Sequence, residues 1–284
     1  MWVRAQWRKT DAIGYKNGLN RTHWKISDAI GYDFLCKFVG MKVGLFIPCY
    51  VDAVFPEVGV ACWKLLKHLG VDVTYPQWQT CCGQPMANAG FENQAVPLAL
   101  KFEDCFKEFD YVVAPSVSCT AFVRLNYERL LAGHECATAS KAMDMVEFLH
   151  DVVKPKGPLG RFPHKVSLHN SCHGVRELHL SSSSEENVAP FNKIKDLLSL
   201  VEGIEVVEPE RPDECCGFGG MFSVEETAVS AQMGLDKVRR HIATGAEFVT
   251  GPDSSCLMHM AGVARKQHLD IGFKHVVEIL AAGL

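Results

Sequence analysis

From residue 42 onward, short unbroken apolar runs alternate with longer stretches in which apolar residues recur every three or four positions. The first run, Lys42-Val-Gly-Leu-Phe-Ile-Pro48, predicts a buried strand over 42–47. Pro56, suited to a first helical turn, opens a stretch with Val58, Ala61, Cys62, Leu65 and Leu69 on one face, and Gly70 ends it. A strand over 71–75 follows, then a helix with Ala95, Leu98, Ala99, Phe102, Phe106 and Phe109 on its apolar stripe. A strand over 111–114 and a helix to Leu131 come next. Beyond Lys154-Pro-Lys-Gly-Pro-Leu-Gly160, which has the composition of a boundary, the same order returns: strand 165–169, helix 190–201, strand 204–208, long helix 224–243, strand 247–250 and a further helix. Val146-Glu-Phe-Leu149 matches Val277-Glu-Ile-Leu280. Strand and helix in alternation predict α/β architecture in two similar domains, each a small parallel sheet flanked by helices.

The cysteines obey the same repeat. Cys49 follows the first strand, the doublet Cys81-Cys82 the second and Cys119 the third; Cys172, Cys215-Cys216 and Cys256 take the corresponding places in the second copy. The offset between copies grows from 123 at the single cysteine to 134 at the doublet and 137 at the last cysteine, most of it absorbed by the polar insertion Ser181-Ser-Ser-Ser-Glu-Glu-Asn187. These boundaries predict a first domain over 41–153, a second over 161–284, and a disordered or misassigned extension over 1–40, with Met41 a candidate start. The extension holds three tryptophans, seven Lys or Arg against three Asp, and an echo of Asp11-Ala-Ile-Gly-Tyr15 at Asp28-Ala-Ile-Gly-Tyr32.

Composition narrows the chemistry. With 29 basic and 33 acidic residues the net charge is only -4, so no strong field favours nucleic acid or an anionic membrane. No apolar run reaches the roughly 20 residues of a bilayer span, and the N-terminus lacks a secretory core. A cytosolic location is therefore expected, where twelve cysteines read as metal or redox chemistry rather than as a disulfide framework. Neighbouring cysteines also pair poorly, since Cα atoms about 3.8 Å apart lie closer than disulfides normally allow.

In an open parallel sheet the loops leaving the carboxyl ends of the strands converge on one edge. Cys49, Cys81, Cys82 and Cys119 are expected to meet there, and so are Cys172, Cys215, Cys216 and Cys256. Helix N-termini beside these loops favour thiolate. Gly83 and Gly217 follow the doublets, and Gly217-Phe-Gly219-Gly220 offers backbone N–H groups to a cluster. Four thiolates per site suit an iron–sulfur cluster or tetrahedral zinc; the lack of any CxxC knuckle favours iron–sulfur. Cys62 and Cys105 read as core residues. His169 and His173 flank Cys172, and His173 and Arg176 are candidate catalytic groups, although an arginine there also suits a surface ion pair, as does Arg211.

Cysteine, about thirty residues, Cys-Cys-Gly, and a terminal cysteine motif resemble the cysteine-rich CCG family found in heterodisulfide reductase, in iron–sulfur proteins of glycolate and anaerobic glycerol-3-phosphate oxidation, and in lactate utilisation. Pro115-Ser-Val-Ser-Cys119 and His169-Asn-Ser-Cys-His173 with Arg176 resemble the lactate-utilisation branch. The resemblance runs from residue 41 to the C-terminus. It implies one or two [4Fe–4S] clusters on the eight repeated cysteines, electron transfer during oxidation of a 2-hydroxy acid such as L-lactate, and ferredoxin-like and accessory lactate-utilisation proteins as partners. The family's terminal CxxC reads here as Ser116-Val-Ser-Cys119 and Asp253-Ser-Ser-Cys256. The first cysteine of each pair is absent, which argues against the larger non-cubane assembly of some relatives. No flavin or nicotinamide motif is visible, so a hydride acceptor would come from a partner. A metal-free thiol relay and a zinc-stabilised interaction module are the rival classes.

Overall fold

The computed structural model describes residues 40–284. The expected extension over 1–40, with Cys36, lies outside the described residues apart from Gly40. The apolar runs form two four-stranded parallel sheets. In the first, β1 (Val43–Leu45), β2 (Val73–Thr74), β3 (Tyr111–Ala114) and β4 (Ala142–Asp144) are ordered β2-β1-β3-β4. The second repeats this as β6-β5-β7-β8, with β5 (Lys165–Leu168), β6 (Glu205–Val207), β7 (Phe248–Gly251) and β8 (Gly272–His275). Val43 aligns with Val73 and Tyr111, and Val166 with Val206 and Phe248. The sequence offset of 123 at the first strand is thus also the structural equivalence.

Periodicity does not reveal β4 and β8, whose short runs Ala-Met-Asp and Gly-Phe-Lys-His carry too little alternation. β3 matches its expected run and β7 is displaced by one residue, while β1, β2, β5 and β6 are shorter than theirs, and the first run continues past the ladder into the loop at its carboxyl end. Phe46 shows this: it lies beyond β1, yet its N–H still donates to the Val113 carbonyl at 2.9 Å.

The first half carries helices α1 (Cys49–Val54), α2 (Pro56–His68), α3 (Gln84–Asn88), α4 (Glu92–Phe106), α5 (Val117–Leu130) and α6 (Met145–Glu147), the last running into a π-helical turn over Phe148–Val153. The second carries α7 (Cys172–Arg176), α8 (Lys193–Leu198), α9 (Phe222–Glu225), α10 (Thr227–Ala243), α11 (Ser254–Lys266) and α12 (Val276–Leu280). The expected helices over 190–201 and 224–243 are therefore a single shorter helix and a broken pair.

Side-chain alternation decides what each sheet face meets. Val43, Leu45 and Ile47 point into one core together with Val166 and Leu168 of the other half. Between the sheets lie the apolar faces of α2, α6, α8 and α12, with Leu65, Val146, Leu197 and Leu280 all buried. Contacts cross reciprocally, α12 of the second half packing on α2 and α8 on α6. The opposite faces are covered within each half: Phe46, Phe102, Phe106 and Tyr127 fill the space beneath α4 and α5, while Val238, Leu257 and Met260 fill that beneath α10 and α11. Leu159, in the stretch of boundary composition, is itself buried in the common core.

A shared core makes the halves unfold together. Leu280→Ala should cost about 2–5 kcal/mol. Among the described residues the tryptophans, Trp63 and Trp78, both lie in the first half, so the same downward shift in midpoint should appear in their fluorescence and in circular dichroism of the whole chain. A fluorescence transition left in place would mean independent halves.

Candidate metal centres

Each repeated thiol stands where a strand gives way to a helix. Cys49 and Cys172 are the first residues of α1 and α7, and the Ser171 hydroxyl caps the latter by accepting the Gly174 N–H at 3.3 Å. Cys119 and Cys256 lie in the first turns of α5 and α11, capped by Ser116 and Asp253. The doublets occupy the loops after β2 and β6, and each is followed by a glycine in the left-handed region, Gly83 at φ +90° and Gly217 at φ +87°. Those glycines also permit close approach: a Cβ on Gly217 would lie 2.6 Å from Met233 Cβ, and one on Gly83 3.3 Å from Ala95 Cβ. Gly219 and Gly220 form the turn into α9, where their carbonyls accept from Phe222 and Ser223.

The four thiols of each half meet. Cys49 Sγ lies 3.5 Å from Cys81 Sγ, and thiol contacts continue from Cys81 to Cys82 and from Cys82 to Cys119. The second half repeats the order, Cys172 to Cys215 to Cys216 to Cys256. In both, the first member of the doublet collects the donors. Gly83 N–H reaches Cys81 Sγ at 3.4 Å and Gly217 N–H reaches Cys215 Sγ at 3.3 Å.

Electrostatics follows from this crowding. Hydrogen bonds from Cys49, Cys82 and the Gly83 N–H hold Cys81 down to about 3 against the opposing effect of burial. Hydrogen bonds from Cys172, Cys216 and Gly217 hold Cys215 to about 2. Donation to that thiolate, together with burial and its charge, pushes Cys49 and Cys172 up, and Cys82 and Cys216 are raised by their contacts to neighbouring sulfurs. Among the shifted thiols, Cys81 and Cys215 are thereby the ones held toward thiolate.

The surroundings of the two sites differ. Beside the second, His169 is 1% exposed, and both its ring nitrogens are buried without a hydrogen-bond partner. A ring nitrogen of His169 and the sulfurs of Cys216 and Cys256 all lie within 4.8 Å of one another. His173 reaches only the outer thiol, its Nδ1 3.7 Å from Cys172 Sγ. Arg176 is held on the surface by Glu185 through Nε at 3.2 Å and Nη2 at 2.8 Å, and Arg211 faces Glu214 at 3.5 Å. Arg176 is thus committed to an ion pair. Cys62 and Cys105 are buried among apolar side chains, and Cys136 is half-buried beside the same aromatic cluster as Cys105.

Sequence reasoning missed the seam between the sites. Ser116 and Asp253, which stand where the family pattern has a further cysteine, pair across the halves as an antiparallel bridge. The Tyr50 hydroxyl is 3.0 Å from both Ser116 Oγ and Asp253 Oδ1, and Asp253 Oδ2 accepts the Ser118 N–H at 2.9 Å. Asp253 also accepts from the Ser255 hydroxyl at 2.6 Å. These hydrogen bonds keep its carboxyl below the usual range despite full burial. The signal was the coincidence that both copies place a polar residue at the same motif position.

Donor chemistry and geometry together fit a thiophilic metal or an iron–sulfur cluster: four thiols per half joined in a chain of contacts, every described cysteine a free thiol, and one orphaned imidazole. The CCG cysteine-rich domain model matches twice, over residues 43–124 and 166–261. The chain belongs to the CCG cysteine-rich domain family. Within it, this CCG protein is 36% identical over 251 residues to lactate utilization protein A of Exiguobacterium, covering 86% of this chain and 98% of that one. It is 37% identical over 246 residues to the protein of the same name from Halalkalibacterium halodurans, covering 84% and 96%. Among solved structures, a putative Asp/Glu racemase from Yersinia pestis matches over 85% of this chain and 96% of its own at a TM-score of 0.36 and 12% identity. Among the described residues, no helix is long and apolar enough to cross a membrane.

Two outcomes test this geometry. In metal-free, reduced protein, iodoacetamide at pH 6 should modify Cys81 and Cys215 first, because their depressed values keep them ionised where an ordinary thiol of about 8.5 is protonated; peptide mass mapping reads the order, and first labelling elsewhere contradicts the thiolate assignment. Asp253→Ala, which leaves Tyr50 and Ser118 without their acceptor, should lower unfolding stability by about 1–3 kcal/mol, measured by urea denaturation.

Proposed function

We propose that this CCG protein is the iron–sulfur electron-transfer component of a cytosolic system that oxidises a 2-hydroxy acid, with L-lactate to pyruvate as the reaction. The observation that carries the reading is the meeting of four thiols in each half, at the carboxyl edge of each sheet. The names of the relatives at about one-third identity point to lactate. We extend the reading to the ligands themselves: Cys49, Cys81, Cys82 and Cys119 in one site, and Cys172, Cys215, Cys216 and Cys256 in the other, within domains spanning 41–153 and 161–284.

A bound iron–sulfur cluster supplies a one-electron acceptor and donor. The chain's own residues prepare for it. Cys81 and Cys215 offer a thiolate from the outset, and the remaining thiols release protons as metal binds. Cys82 and Cys119, like Cys216 and Cys256, are buried and form the floor of each site, while Cys49 is exposed and Cys172 half-buried at the mouth. That gradient keeps water from the floor and leaves the mouth open to an electron partner. The Gly83 and Gly217 N–H groups, already aimed at sulfur, stabilise negative charge there. Ferredoxin-like and accessory lactate-utilisation proteins are the partners this role requires, since the hydride of a hydroxy acid needs an acceptor beyond these thiols.

Anaerobic determination of iron and acid-labile sulfide, with electron paramagnetic resonance, tests the reading. Cys82→Ser and Cys216→Ser should each remove one site's share of iron. Cys62→Ala and Cys105→Ala should retain all of it and lose about 1 kcal/mol of stability. Colourless protein with full activity and no iron would select the thiol relay instead, and one zinc per half without a redox response the interaction module.

A further inference from the structure

The two halves share a fold and a cysteine pattern but differ in the side chains directly behind the thiols. Phe46 and His169 are equivalent by the strand register, each lying three residues before the first cysteine of its site. In the first half Phe46 stacks edge-on against Phe102 at 4.9 Å and Phe106 at 5.9 Å, forming an apolar backing. In the second half the same volume holds His169, Lys237 and His241. The equivalence of His241 with Phe106 rests on the neighbouring strand position: a Cβ on Gly44 would lie 2.9 Å from Phe106, and Ser167, one copy later, places its Oγ 2.7 Å from His241 Nδ1. One helical turn earlier stand Phe102 and Lys237.

Two members of the polar set have partners and one does not. Lys237 is fully buried, and its ammonium donates to the carbonyls of Arg211 at 2.7 Å and Pro212 at 3.2 Å. His241 is bonded to Ser167. His169 has neither nitrogen bonded, although a buried polar group without a partner costs about 1–3 kcal/mol, and it is aimed at the two most buried sulfurs of its site. An imidazole in that position is accounted for if its lone pair is used by something that the thiols also hold.

We propose that His169 is a metal ligand of the second site, so that the chain carries one all-cysteine site and one site of mixed sulfur and nitrogen ligation. The inference rests on the iron–sulfur reading above. Coordination uses the lone pair of the neutral ring and releases no proton, unlike the cysteines around it. His169 takes the deep side of the site with Cys216 and Cys256, and His173 stays at the mouth beside Cys172. Beside the four cysteines the neutral imidazole is an added donor that brings no negative charge, and the ammonium of buried Lys237 favours the added electron, which raises the reduction potential of an iron–sulfur centre. The two sites of one chain are thereby set at different potentials, the second being the better electron acceptor.

The test uses the full chain, grown with 15N-labelled histidine, reconstituted anaerobically with ferrous iron and sulfide, and reduced for pulsed electron paramagnetic resonance. Wild type should show a strong 15N coupling of a directly bound nitrogen. His169→Phe, which copies Phe46, should lose that coupling while the four cysteines keep the iron as they do in the first site, whose own signal persists and certifies the fold. His169→Cys should likewise hold the iron without the nitrogen coupling, and its added thiolate should shift the site to lower potential in a dye-mediated titration. His173→Phe should keep the coupling. Iron-loaded wild type with no coupling, or only the weak coupling of a hydrogen bond to sulfur, overturns the proposal, as does a strong coupling that survives in His169→Phe. Failure to bind any iron is a different result and sinks the functional reading itself.

Discussion

Four sulfur atoms brought within touching distance cannot all carry negative charge. Thiolates a few ångströms apart in a partly dry loop cluster repel strongly, and burial adds to the penalty. In each half one sulfur, Cys81 or Cys215, is surrounded by thiol and backbone donors that favour its thiolate. The arrangement is poised rather than relaxed, since a cation entering either site displaces the remaining protons and replaces repulsion by attraction. The positions of the strands, the helix starts and the two left-handed glycines follow from the need to hold four sulfurs so close while nearby backbone groups keep their partners.

That local demand explains why the halves are so firmly joined. Small parallel sheets of two- to four-residue strands have little capacity to stand alone. Here each sheet buries its inner face in the same core as the other, through α2, α6, α8 and α12. The polar seam of Tyr50, Ser116 and Asp253 then fixes the register of one site relative to the other. Apolar packing holds the halves together with little directional preference, and the buried hydrogen bonds select one alignment.

Duplication has not kept the copies alike. The first half backs its cysteines with interlocking phenylalanines, whereas the second buries an ammonium and two imidazoles in the same place. Burial drives His169 and His241 toward the neutral state, His241 to about 3, and draws Lys237 down to about 8. Such groups weaken a core unless they are bonded, and the carbonyls of Arg211 and Pro212 and the hydroxyl of Ser167 meet that need for two of the three. The buried ammonium and imidazoles sit against the sulfurs of the second site.

Local sequence determined the elements, their order and the doubling. Apolar runs ending in cysteine, and cysteine doublets followed by glycine, report their own conformations because strand burial, helix entry and left-handed backbone are decided within a few residues. It also indicated that eight thiols lie at strand ends, since a parallel sheet leaves its loops on one edge. It did not reveal β4 and β8, which are too short to carry a period and exist only because β3 and β7 offer them an edge. Nor could it separate His169 from His173, four residues apart on either side of Cys172. Strand alternation carries the first toward Cys216 and Cys256, while the opening of α7 leaves the second outside. Tertiary structure alone placed Ser116 against Asp253. Contacts between residues more than a hundred positions apart depend on how two sheets face each other, and no local pattern encodes that.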